Sequence, residues 1–306
     1  MLSASDPRAA RDSLPRAGLT RRSLLVVSGL GALSLAVVGA APASASATTL
    51  ARLRVGARVR TVGSTGPELA SSFRNASAAK GPWDITRAFY GTLPTSEQPI
   101  TPQGGVDVVS YKTPQKNLAA YVATMRKQDL ITWHHEPEGP KDGFTPAGYR
   151  NAFVKEYAAA HQARASVKFG MISGGFQWRE GNPGYGGGFL PPKGSVDWLG
   201  FDSYRTGAGA RNAVVPLTQV AEFQSWYAIA KTYGVPLYVT EYGRGSTTVP
   251  GSGDQRPSVI RADHDYLTAN NFAGWIFWYP ENGIDKQWYF TDSSSLAALR
   301  SVSTGS

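Results

Sequence analysis

The sequence predicts a single (β/α)8 barrel that follows an export signal. From residue 50 onward, eight short runs of β-branched and aromatic residues alternate with segments of helical period. Repeated β-then-α units indicate a parallel sheet covered by helices, and about 250 residues with eight strands is the usual size of a closed barrel. A doubly wound open sheet is the alternative. No G-x-G-x-x-G or G-x-x-x-x-G-K-[ST] pattern follows a strand, which weakens that alternative.

The first 47 residues have the features of an export signal. Residues 1–22 are polar and contain arginines, Leu24–Ala41 is apolar apart from Ser and Gly, and Ala45–Ala47 supplies the small residues that a signal peptidase requires. We therefore expect a signal peptide over 1–47, a barrel domain over 48–306, and a secreted mature protein. Cleavage two or four residues earlier fits nearly as well.

Two features refine this expectation. The segment Thr20–Leu25, TRRSLL, resembles a twin-arginine motif with Leu24 in place of the usual Phe, which implies folding before export. The alternative is an uncleaved membrane anchor, but an apolar run of about 18 residues is marginal for a span of roughly 20.

The composition excludes two classes of protein. The 306 residues are 42% hydrophobic and contain no Cys, so the chain is neither intrinsically disordered nor a disulfide-stapled miniprotein. The full chain carries 31 basic and 22 acidic side chains. Residues 1–47 hold five Arg and two Asp, so the remaining 259 residues carry 26 basic and 20 acidic side chains. All 34 aromatic residues lie in that remainder, and we expect no nucleic-acid partner.

The predicted elements follow one another in regular order. The strands are expected at Val55–Arg60, Ile85–Tyr90, Val106–Tyr111, Leu130–His135, Val167–Ile172, Val196–Asp202, Pro236–Thr240 and Ala273–Trp278. The helices are expected at Pro67–Ala78, Pro114–Lys127, Thr145–Gln162, Leu217–Tyr233, Pro257–Asn270 and Asp292–Ser301. For four of these helices, a proline at or near the first residue predicts where the helix begins. A proline is tolerated there because the first N–H groups of a helix have no partner within the helix. The segments after strands two and five lack a helical period.

Two carboxylates end hydrophobic strands at the face where barrels build their sites. Glu136 follows strand four and Glu241 follows strand seven, and a buried strand gives no reason to end in an acid. Hydrolysis of a glycosidic bond requires one carboxylic acid to protonate the leaving oxygen and one carboxylate to meet the positive charge that develops at the anomeric carbon. The pair therefore indicates glycoside hydrolysis.

These motifs resemble those of the retaining (β/α)8 glycoside hydrolases whose acid/base ends strand four and whose nucleophile ends strand seven. The segment Trp133–Pro137, WHHEP, is most similar to glycoside hydrolase family 26, the family related to endo-β-mannanases, in which a His precedes the acid/base. The resemblance covers essentially the whole chain after the signal, and strands two to eight carry it most clearly.

The resemblance implies a role for each matching residue. Glu136 would be the general acid/base and Glu241 the nucleophile, while His135 would bind a substrate hydroxyl or orient Glu136. Tyr204 would hydrogen-bond the nucleophile, and Trp278 would form the floor under the cleaved sugar. An aromatic face suits the apolar C–H face of a pyranose, and a phenol can hold a carboxylate in one rotamer.

Other residues compete for roles at the site. Glu138 lies two residues past Glu136 and is a rival acid, while Asp202 and Glu281 also lie at strand ends, where Asp202 is better explained as a hydrogen-bonding strut. Arg87 and Lys112 are better explained by ion pairs than by binding of an acidic sugar. Six further aromatics are candidates for sugar-stacking subsites, although each is at least as well explained by packing: Trp133, Trp178, Tyr185, Trp275, Tyr279 and Trp288.

Two other functions remain open at this point. A metal-dependent hydrolase built on His134 and His135 would need ligands from several strands, but both remaining His residues fall within predicted helices. A non-catalytic carbohydrate-binding barrel would more naturally have lost one of the two glutamates. We therefore expect a secreted, monomeric, endo-acting retaining glycosidase that needs no metal or cofactor, does not stay on the membrane after cleavage, and acts on a β-linked polysaccharide, with mannan or β-glucan favoured.

Overall fold

The computed structural model describes residues 53–62, 84–97, 99, 104–139, 142–205, 213–245, 256–278 and 293–304. The predicted signal over 1–47 and the predicted helix Pro67–Ala78 lie outside this part of the chain, as do Tyr279, Glu281 and Trp288. Among the described helices, none combines the length and hydropathy that a bilayer-crossing segment requires.

Eight parallel strands close into a barrel in which each strand pairs with its sequence neighbours and β8 pairs with β1. The strands are β1 Arg54–Val62, β2 Ile85–Tyr90, β3 Val106–Tyr111, β4 Leu130–Trp133, β5 Lys168–Ser173, β6 Trp198–Arg205, β7 Leu237–Arg244 and β8 Gly274–Phe277. The predicted fold class is therefore confirmed, and each predicted strand overlaps an observed one. β4 is shorter than predicted because His134 adopts a φ of 47° and leaves the extended conformation, and β8 is shorter than predicted by one residue at each end.

Five α-helices are described between and after the strands. They are α1 Leu118–Thr124, α2 Pro146–Ala163, α3 Ala221–Ala230, α4 Arg256–Ala269 and α5 Ser293–Thr304. Helix α2 begins with Pro146 at its first position, and the side chain of Thr145 accepts a hydrogen bond from the N–H of Gly148. The prediction was wrong for α1, which begins at Leu118 rather than at Pro114.

Two apolar cores hold the barrel together. The outer core lies between the strands and the helices, and α2 contributes Tyr149 and Phe153 to it from one face. The inner core fills the barrel and consists of Ile85, Val106, Val108, Leu130, Ile172, Trp198, Tyr238 and Ile276. Gly170 makes room for the indole of Trp198, since a Cβ at this glycine would lie 2.1 Å from two indole carbons. The barrel is therefore packed, and its interior cannot hold a ligand.

The strands become polar where they leave the inner core. Alternation along β2 places Ile85, Arg87 and Phe89 on the inner face, and alternation along β6 places Asp202 and Tyr204 there. These residues lie toward the carboxyl ends of the strands, a region that we call the mouth. The fold thus gathers charged and aromatic side chains on top of an apolar floor.

Candidate active site

Arg87 is the buried centre of the mouth. Its side chain has no solvent exposure, and its Nη1 lies 3.0 Å from an oxygen of Asp202 and 3.0 Å from Oε1 of Glu241. The same nitrogen donates to the backbone oxygen of Thr240 at 3.3 Å, and Nε donates to the hydroxyl of Ser110 at 3.1 Å. Burial opposes the charge, but Asp202 and Glu241 raise the pKa of Arg87. The ion pair predicted for Arg87 is therefore confirmed.

A β-bulge in β7 brings two consecutive side chains to Arg87 and Asp202. The register pairs Phe201 with Val239 but Asp202 with Glu241, so Thr240 is the extra residue. The Thr240 hydroxyl donates to Asp202 at 2.6 Å, while Glu241 contacts Arg87. In a regular strand these neighbours would point to opposite faces, so the bulge is what admits Glu241 to the mouth.

Both oxygens of Glu241 have partners. Oε1 contacts Arg87, and Oε2 accepts a hydrogen bond from the hydroxyl of Tyr204, which is the contact predicted for that tyrosine. Burial, followed by the Asp202 carboxylate, raises the pKa of Glu241 well above its usual range, although Arg87 and Tyr204 act in the opposite direction. The carboxylate is thus held in one orientation, and its ionised form depends on these two partners.

Glu136 lies on a turn that continues from β4. Its φ is 52°, a left-handed conformation that is rare outside glycine. The N–H of Glu136 nevertheless donates to the carbonyl of Ile172 at 2.9 Å, so its backbone is bonded to β5 beyond the end of the regular ladder. Strained backbone of this kind often occurs at functional sites, where the surrounding structure holds it in place.

The surroundings of Glu136 favour its neutral form. Burial, followed by the carboxylates of Asp202 and Glu138, raises the pKa of Glu136 to about 8, against opposition from Arg87 and Lys112. A carboxylic acid that keeps its proton at neutral pH can act as a general acid. Because Arg87 contacts Glu241 directly, the two glutamates have different environments.

An aromatic wall stands beside the carboxyls. The ring of Phe89 meets His135 edge-on with centroids 5.1 Å apart and meets Trp278 at 6.1 Å. Trp278 also meets Tyr204 at 5.7 Å. His135 and Trp278 are both partly exposed, so this wall is accessible to a ligand. The structure therefore brings together five of the six predicted site residues: Trp278, Tyr204, His135, Glu136 and Glu241.

The sixth, Trp133, does not belong to the site, so its prediction as a substrate-binding residue was wrong. It is 3% exposed and stacks on Tyr149 of α2 with centroids 5.5 Å apart, because alternation along β4 turns it toward the outer core. Trp178 and Trp275 are also buried, whereas Tyr185 is 54% exposed on the loop after β5.

A cavity of about 110 Å³ opens beside Glu136. Part of its lining is charged, since Glu222 pairs with Arg205 at 2.6 Å and with Arg179 at 3.1 Å. Asp202 and Tyr204 line the same cavity. A ligand in this cavity would therefore meet the general-acid candidate together with hydrogen-bonding groups.

His134 is held by contacts with Lys112 and Phe144. Its Nδ1 lies 3.0 Å from the carbonyl oxygen of Lys112, and its ring meets Phe144 edge-on at 4.6 Å. Within the described ranges, no three His, Asp or Glu side chains are grouped in a way that could hold a metal ion. In that part of the chain, His134 and His135 are thus not joined by further ligands into a set that could hold a metal ion.

Two residues of the site were missed by the sequence prediction. Phe89 supports His135 and Trp278, and alternation from Arg87 along β2 could have identified it. Gly174 follows β5, and a Cβ at this position would lie 2.8 Å from Oε1 of Glu136. The position of Gly174 directly after a strand was the signal that could have identified it. That signal is weak, because many glycines in this chain occupy ordinary turns.

Comparisons with known proteins give matches in structure only. No family model matches the sequence, and no curated protein matches it. Among solved structures, an endo-β-1,4-mannanase of glycoside hydrolase family 26 from Cellulomonas fimi has a TM-score of 0.52 and 16% identity, covering 83% of this chain and 70% of that one.

Two further structures share the fold at similar distance. A GH128 (subgroup I) endo-β-1,3-glucanase from Amycolatopsis mediterranei has a TM-score of 0.50 and 14% identity, covering 81% of this chain and 99% of that one. A GH128 (subgroup VII) oligosaccharide-binding protein from Trichoderma gamsii has a TM-score of 0.50 and 15% identity, covering 84% of this chain and 96% of that one. At such identities these likenesses establish the barrel fold alone.

Proposed function

We propose that this protein is a retaining glycoside hydrolase that cleaves O-glycosidic bonds within a β-linked polysaccharide. The observation that carries the proposal is the unequal pair of carboxyls at the mouth. Glu136 has a pKa raised to about 8, and Glu241 is held between Arg87 and Tyr204. Burial raises the pKa of both groups, but Arg87 and Tyr204 favour the ionised form of Glu241, which attacks carbon, while Glu136 keeps a proton to donate. These are the two roles that this reaction requires.

In the first step, Glu136 protonates the glycosidic oxygen while Glu241 attacks the anomeric carbon. The bond between the anomeric carbon and the leaving oxygen breaks, and an ester bond to Glu241 forms. Tyr204 and Arg87 keep the attacking carboxylate in one rotamer, and Trp278 packs against the apolar face of the sugar. In the second step, the ionised Glu136 takes a proton from water, the water oxygen attacks the anomeric carbon, and Glu241 is released as a carboxylate.

The substrate proposal draws on the structural neighbours. The Cellulomonas fimi and Amycolatopsis mediterranei enzymes are, respectively, an endo-β-1,4-mannanase and an endo-β-1,3-glucanase. We infer endo action on mannan or β-glucan for this chain, placed close to family 26. A binding-only function is the second candidate, because a neighbour of similar TM-score is an oligosaccharide-binding protein.

Replacing Glu136 with Gln tests the acid/base assignment. On mannan, β-1,3-glucan, mixed-linkage glucan and xylan, we expect wild type to release reducing ends, and Glu136→Gln to be slower by about 10²–10⁴-fold on the substrate that wild type cleaves. An aryl glycoside whose phenol leaves without protonation should lose far less, since its first step does not need the acid. For wild type, kcat/KM should fall as pH rises through about 8, where Glu136 loses its proton.

Glu156→Gln is the matched control for this experiment. Glu156 is a partly buried glutamate on α2 that accepts a hydrogen bond from Tyr111 at 2.9 Å, on the outer side of the barrel. Full activity of Glu136→Gln on polysaccharide would overturn the assignment. Saturable polysaccharide retention by wild type without release of reducing ends would instead establish the binding-only function.

We further propose that residues 1–47 direct export through the twin-arginine route. Replacing Arg21 and Arg22 together with Lys should abolish secretion, since that route reads the arginine pair rather than the charge. The measurement is the amount of protein in medium and cytoplasm, with the N-terminal sequence of the secreted form. Replacing Arg8 and Arg11 with Lys is the control. Undiminished secretion of the first variant would exclude this route.

A further inference from the structure

Glu138 is a buried acid that the proposed reaction does not use. The residue is 4% exposed, and no donor among the described residues lies in hydrogen-bond geometry to either of its carboxyl oxygens. The nearest donors are the backbone N–H groups of Glu138 and Gly174 and the Gln177 side chain, which lower its pKa against burial, yet that pKa is still raised to about 8. An ionised carboxylate in this position would be costly, so Glu138 needs an explanation beyond packing.

The backbone brings Glu138 and Glu136 to the same recess. The left-handed conformation of Glu136 and the following Pro137 turn the chain, and the N–H of Gly139 closes the turn by donating to the carbonyl of Glu136 at 3.2 Å. The Cβ position at Gly174 is 2.8 Å from Oε1 of Glu136 and 3.1 Å from Oε1 of Glu138. The absence of a side chain at Gly174 therefore creates space that both carboxyls occupy.

Among the described residues, the cations near Glu136 are already paired with other acids. The carboxylates of Asp202 and Glu138 face Glu136 and disfavour its ionisation, and Glu136 in turn acts on Glu241 and Tyr204. Two cations oppose them. Arg87 is bound to Asp202 and Glu241, and Lys112 lies 3.4 Å from Asp142 with a 44% exposed side chain. Neither cation compensates a second buried negative charge in the recess.

We propose that Glu138 is a positioning residue for the acid/base: it shares the recess at Gly174 with Glu136 so that the two carboxyls do not ionise together. As pH rises, the single charge that the recess admits is carried in part by Glu138, so Glu136 keeps its proton to higher pH than it would alone. This inference rests on the proposed function, because the proton that Glu136 retains is the one that it delivers to the leaving oxygen. When Glu136 gives up that proton, Glu138 stays neutral and adds no second charge to the recess. Glu136 then recovers a proton from the attacking water, so the proton balance closes without Glu138 exchanging any.

The test is Glu138→Gln, a neutral replacement of the same shape. The alkaline limb of kcat/KM should move to lower pH by about one unit, because the glutamine cannot carry the charge that opposes ionisation of Glu136. At pH 6, where both acids are neutral in wild type, the variant should retain most of its activity. Glu138→Asp, which restores an acid, should return the limb toward its wild-type position, and Glu156→Gln should leave the limb unchanged.

Two results would overturn the inference. One is an alkaline limb that stays in place in Glu138→Gln, and the other is a loss of activity that is uniform across pH, which would indicate a structural role or a direct catalytic one. Thermal unfolding provides a check on folding. The pKa of Glu138 is higher in the folded protein, about 8, than in the unfolded chain, about 4.3. Its contribution to the free energy of unfolding is therefore fully present below about pH 4.3 and is lost as pH rises through about 8. Glu138→Gln should therefore be more stable than wild type at pH 9.

A titration that needs no substrate separates this inference from the proposed function. In protein labelled with ¹³C at the glutamate carboxyls, the Glu136 resonance, assigned by its loss in Glu136→Gln, should titrate at lower pH in Glu138→Gln than in wild type. A shift in a protein that hydrolyses none of the polysaccharides would support the coupling of the two acids and refute the hydrolase. Hydrolysis with no shift would support the hydrolase and refute the coupling.

Discussion

Replacing Glu241 with Gln is expected to lower kcat/KM by on the order of 10⁴-fold or more while the protein remains folded. The amide is a poor nucleophile, so the ester bond to the sugar no longer forms and both steps of the reaction fail together. The fold should persist because Arg87 keeps both oxygens of Asp202 at 3.0 Å and the backbone oxygen of Thr240 at 3.3 Å. The measurements are initial rates on the best polysaccharide of the panel and thermal unfolding of the same preparation.

The same experiment distinguishes retention from inversion. A 2-fluoro glycoside with a good leaving group slows hydrolysis of the intermediate, so wild type should gain the mass of one sugar on the peptide that contains Glu241. The Gln variant should gain none. Proton NMR of the first product formed should show the β-anomer. Wild-type rates in Glu241→Gln, or an α-anomer as the first product, would contradict the assignment of Glu241 as nucleophile.

Replacing Arg87 with Leu is expected to reduce both stability and activity severely. The substitution leaves Asp202 and Glu241 buried without their cation, and breaking a buried ion pair in this way costs about 3–5 kcal/mol of unfolding free energy. It also removes the group that most opposes the rise in the pKa of Glu241, so that pKa rises further and less of Glu241 is the carboxylate that attacks. The loss of activity should therefore exceed what unfolding alone accounts for.

Urea unfolding and activity measured on the folded fraction separate these two effects. Arg261→Leu is the control, since Arg261 is exposed on α4 and its removal should change stability by less than about 0.5 kcal/mol. Arg87→Lys should be intermediate, because a lysine keeps the charge but cannot make the same set of contacts. If Arg87→Leu matched Arg261→Leu in stability, the buried ion pair would contribute nothing to the fold.

Much of the site could be predicted because the strands obey simple alternation. Tyr204 lies two residues past Asp202 and four past Gly200. Because every second residue of a strand lies on the same face, an inward-facing Gly200 predicts that Asp202 and Tyr204 also face inward. Glu136 and Glu241 were identified because an acid at the end of a buried strand has no structural explanation. Alternation along β4, counted from the inward-facing Leu130, would have placed Trp133 on the outer face of the strand, against the helices.

The orientations of other side chains depend on departures from alternation that cannot be recognised in the sequence. His134 and Glu136 adopt φ values of 47° and 52°, and Thr240 is an extra residue in β7. Each departure changes which face the following side chains reach. Glu241 was predicted to lie at the mouth from its chemistry, whereas a strict count of residues along a regular β7 would have placed it on the outer face with Val239.

The backbone hydrogen bond from Glu136 to Ile172 has a consequence for how such an enzyme could diversify. Glu136 is bonded to β5 and Glu241 lies within the ladder of β6 and β7, so both carboxyls are attached to the barrel itself. The gap between them, which decides between retention and inversion, follows from the circumference of the barrel and two rotamers. In the proposed hydrolase, loops around the mouth could therefore lengthen, shorten or change sequence, and so change the polysaccharide that is recognised, without altering the stereochemistry of its cleavage.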